Sequence, residues 1–440
     1  MKVHRVNDDF GGMDVRSIME HIESRRKAIA AKWNLNDEIV LIFAGAEISI
    51  PGRGDQTYPF RSHSEYFYLT DDDQSNSVLA YDPKAGFTTF HTRLKPDEAM
   101  WYGAVQEDGE DIATLQGWID ARKGRKFAKL GQPTMPVTSD ENFEKELREQ
   151  LNQVRRPKDA VEMDRMRVAA AASQAGFAAV QRLLVPGKTE REIQIELEAE
   201  FFRNGGQRTA YDTIVGGGPN SAVLHFSPTL RAFKSDDLIL IDAGAEYRGY
   251  ASDVTRTYSS TGFTPMQRDI YSIVLEANVN GIEMCRAGVE YKDVHLRSAL
   301  DIARGLVDLK ILKGNPESLV EQGSHALFFP HGVGHLVGLG VRDASGYMPG
   351  RKPEEKLGLR YLRIDLPLLV GYTVTIEPGI YFIPVLLQNK EMRAEHKDTV
   401  NWEKVDTMLD FGGIRIEDNV HVTPDGPEVL TKGIPKEMAA

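Results

Sequence analysis

Four carboxylates and a histidine stand at the ends of apolar stretches, where an ionisable side chain has little reason to be unless it does chemistry. Leu238-Ile-Leu-Ile-Asp242 reads as an apolar strand ending in an acid, and Ser252-Asp-Val-Thr-Arg-Thr-Tyr258 as a strand beginning beside another, Asp253. A hairpin turning at Tyr247 and Arg248, midway between the two aspartates, sets them directly opposite on one sheet face, with Cβ atoms about 5 Å apart. Like charges that close destabilise a sheet unless a cation sits between them. Further on, Phe328-Phe-Pro-His-Gly-Val-Gly-His-Leu-Val-Gly-Leu-Gly340 carries His331 and His335 in a glycine-rich apolar run. Val374-Thr-Ile-Glu-Pro-Gly379 and Gly412-Gly-Ile-Arg-Ile-Glu-Asp418 then place Glu377 and Glu417 at strand ends. Taken singly, these are a solvated hairpin or a satisfied core histidine. Taken together they favour a metal, because a buried carboxylate is costly unless paired or metal-bound.

Asp242, Asp253, His335, Glu377 and Glu417 make a donor set of hard oxygens with a single imidazole. It suits two divalent ions, Mn²⁺ first and Co²⁺ or Fe²⁺ next, better than a structural Zn²⁺, which favours cysteine and histidine. Two ions about 3.5 to 4 Å apart can share a bridging hydroxide, lower its pKa and polarise a substrate carbonyl. That is hydrolytic chemistry.

The segments that position these residues fall into two parts. Ile39 to Phe43, Val78 to Tyr81 and Phe87 to Phe90 read as strands, Tyr58 to Thr70 as an aromatic, β-prone stretch, and Trp118 onward and Asn142 to Val154 as helices. Proline in Arg155-Arg-Pro-Lys158 interrupts the last of these and marks a domain boundary. From Asp159 a long helix runs to Leu184, with apolar residues three and four apart. Val185-Pro-Gly-Lys-Thr-Glu-Arg-Glu-Ile193 then lines up with Arg286-Ala-Gly-Val-Glu-Tyr-Lys-Asp-Val294, 101 residues later. Each copy stops a helix at a glycine and starts another, and strand-rich sequence follows both. Either the two are chance hairpins or one pseudo-symmetric α+β domain holds them.

Composition excludes several classes. With 440 residues, 41% hydrophobic, and a net charge of -12, the chain is globular and repels phosphate backbones, so nucleic acid is a poor partner. No apolar run approaches the length of a membrane helix, and Met1 to Ala31 lacks a signal-peptide core. Cys285 is the sole cysteine, a buried hydrophobe in a chain suited to a reducing, cytoplasmic setting.

The five donors, in the order and motifs quoted, resemble the pita-bread metallopeptidases, and within them the proline-specific branch of prolidase and aminopeptidase P. Tyr58 to Thr70 is similar to the amino-terminal domain of that branch, so the resemblance covers nearly the whole chain. It implies an α+β fold with a creatinase-like α/β amino-terminal domain over residues 1–157 and a pseudo-symmetric pita-bread catalytic domain over 158–440. It also implies a dinuclear metal site, a homodimer and a small peptide substrate. Glu377 and His331 take catalytic positions, and Tyr211 and His225 face the substrate. Arg415 shares strand parity with Glu417 and can hold the carboxylate network. Arg363, in Gly358-Leu-Arg-Tyr-Leu-Arg363, matches the position that clamps a dipeptide's free carboxylate in prolidases. The chain departs from the family at Val341-Arg-Asp343, where Val-His-Asp is usual, which places Arg342 on the substrate side. The expected activity is that of an Xaa-Pro dipeptidase. An Xaa-Pro aminopeptidase acting on longer peptides and a catalytically altered binding module are the alternatives.

Overall fold

Ile39-Val-Leu-Ile-Phe43 is apolar without alternation, the pattern of a strand covered on both faces, and every one of its residues is buried. This strand, β1, pairs antiparallel with β2 (Val78–Asp82) and parallel with β5 (Phe127–Gly131). β3 (Gly86–His91) and β4 (Glu110–Asp111) extend the sheet in the order β4-β3-β2-β1-β5. The computed structural model describes residues 15–95, 100 and 109–438, so the opening Met1 to Ala31 stretch is seen only from residue 15. The chain divides into two compact units, Met1–Arg155 and Arg156–Ala440.

The β-prone reading of Tyr58 to Thr70 is corrected: Ser64–Thr70 is a helix. Its buried Glu65, Tyr66, Tyr68 and Leu69 recur at helical spacing. The His63 ring accepts from the Glu65 N–H, Asp71 in the left-handed region ends the helix, and burial on one face overrides aromatic strand propensity. The helix expected from Trp118 onward spans Leu115–Asp120, and the charged one spans Glu141–Arg155.

In the second unit the repeat appears as two helix pairs. Ala160–Val180 and Glu190–Arg203 form the first, Pro265–Glu283 and Tyr291–Asp308 the second. Reciprocal capping boxes start three of the four, at Asp159/Glu162, Thr189/Glu192 and Thr264/Gln267. The loops are wired alike. Gly187 and Gly288 adopt φ of 91° and 88°. The Gly187 N–H donates to Phe233 O and the Glu190 N–H to Arg231 O, while Gly288 donates to Leu368 O and Tyr291 to Leu366 O. Equivalent donors thus meet carbonyls two residues apart in both halves, the pseudo-symmetry of the pita-bread architecture. Each pair backs a three-stranded sheet. The first is β6 (Ile214–Gly217), β7 (Leu238–Ala243) and β10 (Val254–Ser259), and the second is β11 (Thr373–Ile376), β14 (Asp418–Thr423) and β15 (Gly426–Val429). A Thr255–Glu417 bridge joins the halves. Cys285 is buried and free, and among the described residues no helix is long and apolar enough to cross a membrane.

The hairpin carrying the aspartates turns one residue later than expected. β8 (Ala245–Tyr247) and β9 (Tyr250–Ala251) close around Arg248 and Gly249, both at positive φ, a two-residue type I′ turn. The pairing therefore moves by two, so Asp242 faces Thr255 rather than Asp253. Because the shift is even, Asp253 stays on the same face, diagonal to Asp242. Opposite Asp253 sits Gly244, where a Cβ would lie 1.8 Å from the Ser252 carbonyl oxygen. Backbone cannot swing away as a side chain can. Gly244→Ala is therefore expected to cost on the order of 2–3 kcal/mol in urea unfolding. Gly117→Ala, in a helix with nothing within 4 Å of the new methyl, should be neutral or slightly stabilising.

Candidate metal centre and active site

The two halves deliver the acids from opposite sides. Asp242 is next to last in β7, Asp253 lies just before β10, Glu377 lies between β11 and β12 (Gly379–Tyr381), and Glu417 occupies the break between β13 (Gly413–Arg415) and β14. His335 comes from the glycine-rich run, whose Leu336 bridges to Val374. Asp253, His335 and Glu417 each place a donor atom within 4.8 Å of the other two. His335 Nε2 lies 3.4 Å from Asp253 Oδ2 and 3.8 Å from Glu377 Oε1. Its Nδ1 is 3.0 Å from the Leu336 carbonyl, which assigns the proton to that nitrogen and leaves Nε2 as a lone pair facing the acids. The five expected donors thus line one cavity of about 680 Å³.

Supporting hydrogen bonds hold both oxygens of Asp242 and one oxygen of Glu417. Arg415 Nη2 donates to Asp242 Oδ2 at 2.6 Å, and the Tyr211 hydroxyl to Asp242 Oδ1 at 2.6 Å. Arg415 Nε reaches Thr255 Oγ1 at 3.0 Å, and that hydroxyl donates to Glu417 Oε2 at 2.6 Å. Arg415 therefore holds Asp242 directly and Glu417 through a threonine. Asn419 exchanges two hydrogen bonds with the Asp253 backbone, at 2.9 and 2.7 Å, and pins it to the other half.

Three functional positions escaped the sequence reading. Thr255 and Asn419 are two, and Tyr381 is the third. Its hydroxyl lies 2.9 Å from both His331 Nε2 and Arg415 Nη1. Strand alternation offered a signal: Glu377, Gly379 and Tyr381 share parity, as do Asp253 and Thr255. His331, with Nδ1 2.8 Å from the Gly332 carbonyl, stands 3.9 Å from Glu377 Oε2. His225, Arg342 and Arg363 also line the cavity.

The electrostatics favour bound cations. Burial raises the Asp242 carboxyl and Asp253 raises it further, against Arg415. Glu417 is driven well up by burial and then by Asp253, Glu377 and Asp242. Glu377 is pushed up to about 7, burial again leading. For His335, burial opposes charging, but Asp253 and Glu377 outweigh it and raise its pKa. His331 is held neutral, lowered to about 3 by burial and by Arg415. Desolvated carboxylates that disfavour their own ionised forms, with lone pairs converging on one space, fit divalent ions.

Residues 164–424, more than half the chain, match the sequence pattern of metallopeptidase family M24. The chain belongs to that family. Residues 22–116 match the aminopeptidase P N-terminal domain. A probable Xaa-Pro aminopeptidase of Botryotinia fuckeliana is 32% identical over 434 residues, covering 95% of this chain and 93% of the relative. One from Aspergillus clavatus is 33% identical over 86% of each. Among solved structures, Pseudomonas aeruginosa aminopeptidase PepP superposes with a TM-score of 0.77 at 27% identity, covering 95% of this chain and 96% of that one. Escherichia coli aminopeptidase P with the inhibitor Pro-Leu gives 0.78 at 26%, with the same coverage. The M24 assignment and these neighbours agree with the α+β, two-domain expectation.

The raised acids give this M24 site a pH signature. Between Glu377's ordinary value of 4.5 and about 7, the folded metal-free protein keeps a proton that the unfolded chain has released, so this contribution weakens the fold as pH rises. Buried His295 and His325, lowered to about 3 and 4, act oppositely up to 6.5, so a difference must be read. In chelator-treated samples, Glu377→Gln should gain stability relative to the unaltered chain from pH 5 to pH 8, as followed by thermal melting.

Proposed function

We propose that this chain is a metal-dependent Xaa-Pro aminopeptidase, with Asp242, Asp253, His335, Glu377 and Glu417 holding two divalent ions, Mn²⁺ by preference. The observation that carries the reading is the convergence of five donors from both halves on one cavity, with Arg415 and Tyr211 fixing the carboxylate of Asp242. The relatives' names supply the peptide class. Divalent ions held by these residues would supply polarisation of the scissile carbonyl and an activated water at neutral pH.

The chain's own groups supply the rest. Glu377, with one oxygen toward His335 and the other 3.9 Å from His331, is assigned to proton transfer toward the leaving proline nitrogen. That nitrogen is a poor leaving group until protonated. His331, uncharged and with its ring nitrogens engaged by Tyr381 and the Gly332 carbonyl, is assigned to bonding the substrate beside Glu377 by exchanging one of these partners. Tyr211 bonds Asp242, so its first role is to orient that acid, and its ring joins His225 in the cavity wall. Burial, and next Arg342, lowers the pKa of His225, which favours a neutral imidazole toward the peptide.

An Xaa-Pro dipeptidase is the second reading, and Arg363 favours it. Its guanidinium lines the cavity and has no hydrogen-bond or ion-pair partner among the described residues, which suits it to a free carboxylate. Chain length decides between the two: faster turnover of Ala-Pro-Ala than of Ala-Pro supports the aminopeptidase, and the reverse order the dipeptidase.

Metal dependence has its own test. Chelation should abolish hydrolysis reversibly, and Glu417→Ala or Asp253→Ala should lose bound metal together with at least ~10²-fold in rate. Metal content read by elemental analysis checks the first half independently of activity. Full hydrolysis by thoroughly stripped protein would refute the proposal.

A further inference from the structure

Beside the catalytic cavity lies a second one of about 300 Å³, and Arg342, Tyr361 and Arg363 line both. The second cavity adds Arg360, Ser345, Leu362 and Asp343, whose carboxylate is paired with Lys158. All three arginines are exposed, and among the described residues none pairs with an acid. Among the described residues Arg342 and Arg363 have no hydrogen-bond or ion-pair partner, and Arg360 gives only its Nε to the Glu355 carbonyl. The Ser345 Oγ is buried and also unpartnered. Burial, and next Arg342, depresses the Arg363 guanidinium, against Glu377 and Tyr347.

The loop presenting Arg342 is anchored. Asp343 and Lys158 form an ion pair of 2.9 Å with both side chains almost wholly buried. Lys158 also donates to Arg156 O, and Asp343 accepts from the Ala344 N–H at 2.8 Å. Removing one partner would strand a buried charge, so Arg342 is carried on a fixed support.

We propose that the second cavity is a carboxylate subsite for the part of the peptide beyond the scissile bond. Arg342 and Arg360 are its specificity residues, and the Ser345 hydroxyl is a further donor. The inference rests on the Xaa-Pro reading and extends it to a substrate class, peptides that bring a carboxylate a short distance past proline. A guanidinium pairs two N–H groups with two carboxylate oxygens, and a cationic recess in an acidic protein concentrates anions locally.

The test uses the metal-loaded full chain. Ala-Pro-Ala is compared with its C-terminal amide, and Ala-Pro-Asp-amide with Ala-Pro-Asn-amide, separating a terminal carboxylate from an acidic side chain. At least one pair should show about tenfold higher kcat/KM for the acid, the scale of one charge-assisted hydrogen bond. The Arg342→Met/Arg360→Met double variant should bring that ratio near one. Calorimetric binding of the product Pro-Ala against Pro-Ala-amide should follow the same preference. Equal turnover within both pairs by the unaltered enzyme, or a ratio that survives the double variant, overturns the subsite. Failure to cleave any Xaa-Pro peptide would instead overturn the Xaa-Pro reading itself.

Discussion

The mutual repulsion of four carboxylates, two buried and two largely so, is the constraint from which the rest of the second unit follows. Without cations, Asp242, Glu377 and Glu417 all resist ionisation, and burial is the leading cause each time. The surroundings do not neutralise the cluster with a matching number of bases. They supply one fully committed arginine, Arg415, and neutral hydroxyls and amides that hold individual oxygens. Both oxygens of Asp242 are engaged in this way, while Asp253, Glu377 and Glu417 turn oxygens toward one another and toward His335. Such an arrangement is stable only as a receptacle for positive charge, and the M24 membership of the chain agrees with it.

Pseudo-symmetry explains how one fold collects so many acids. Each half has a helix pair, a glycine-terminated loop with the same backbone wiring, and a short sheet. Asp242 and Asp253 come from one half and Glu377 and Glu417 from the other. A single hairpin could present two acids on a face, but enclosing a space requires a second surface opposite.

Much of this was legible because burial and charge conflict visibly in sequence. An aspartate after Leu-Ile-Leu-Ile needs a reason, and five such conflicts in one chain left few reasons. Register was less legible, since Arg248-Gly249 and Tyr247-Arg248 are both central, and only the positive-φ demand of a type I′ turn separates them. Evenness of the resulting shift kept the face correct even so. Ser64–Thr70 misled because aromatic residues favour strands on average, while here their spacing covers one helical face. Tyr381 was missed because a tyrosine in an apolar strand is ordinary, and its hydroxyl acquires a role only once His331 and Arg415 are brought to it from distant segments. Arg342 drew notice as a departure from a motif. Arg360 drew none, because in Gly358-Leu-Arg-Tyr-Leu-Arg363 only the second arginine matched a known clamp.

The Thr255–Glu417 hydrogen bond spans 162 residues, and this separation has a kinetic meaning. Each helix pair and its sheet can organise from contacts close in sequence, whereas the cluster exists only after the two halves dock. Contacts of such high order form slowly because loop closure precedes their reward. Ion capture then belongs to the last stage of folding, and a chain stalled before docking exposes scattered single acids with little hold on a metal. Loading with the ion thereby becomes a latch on the finished topology.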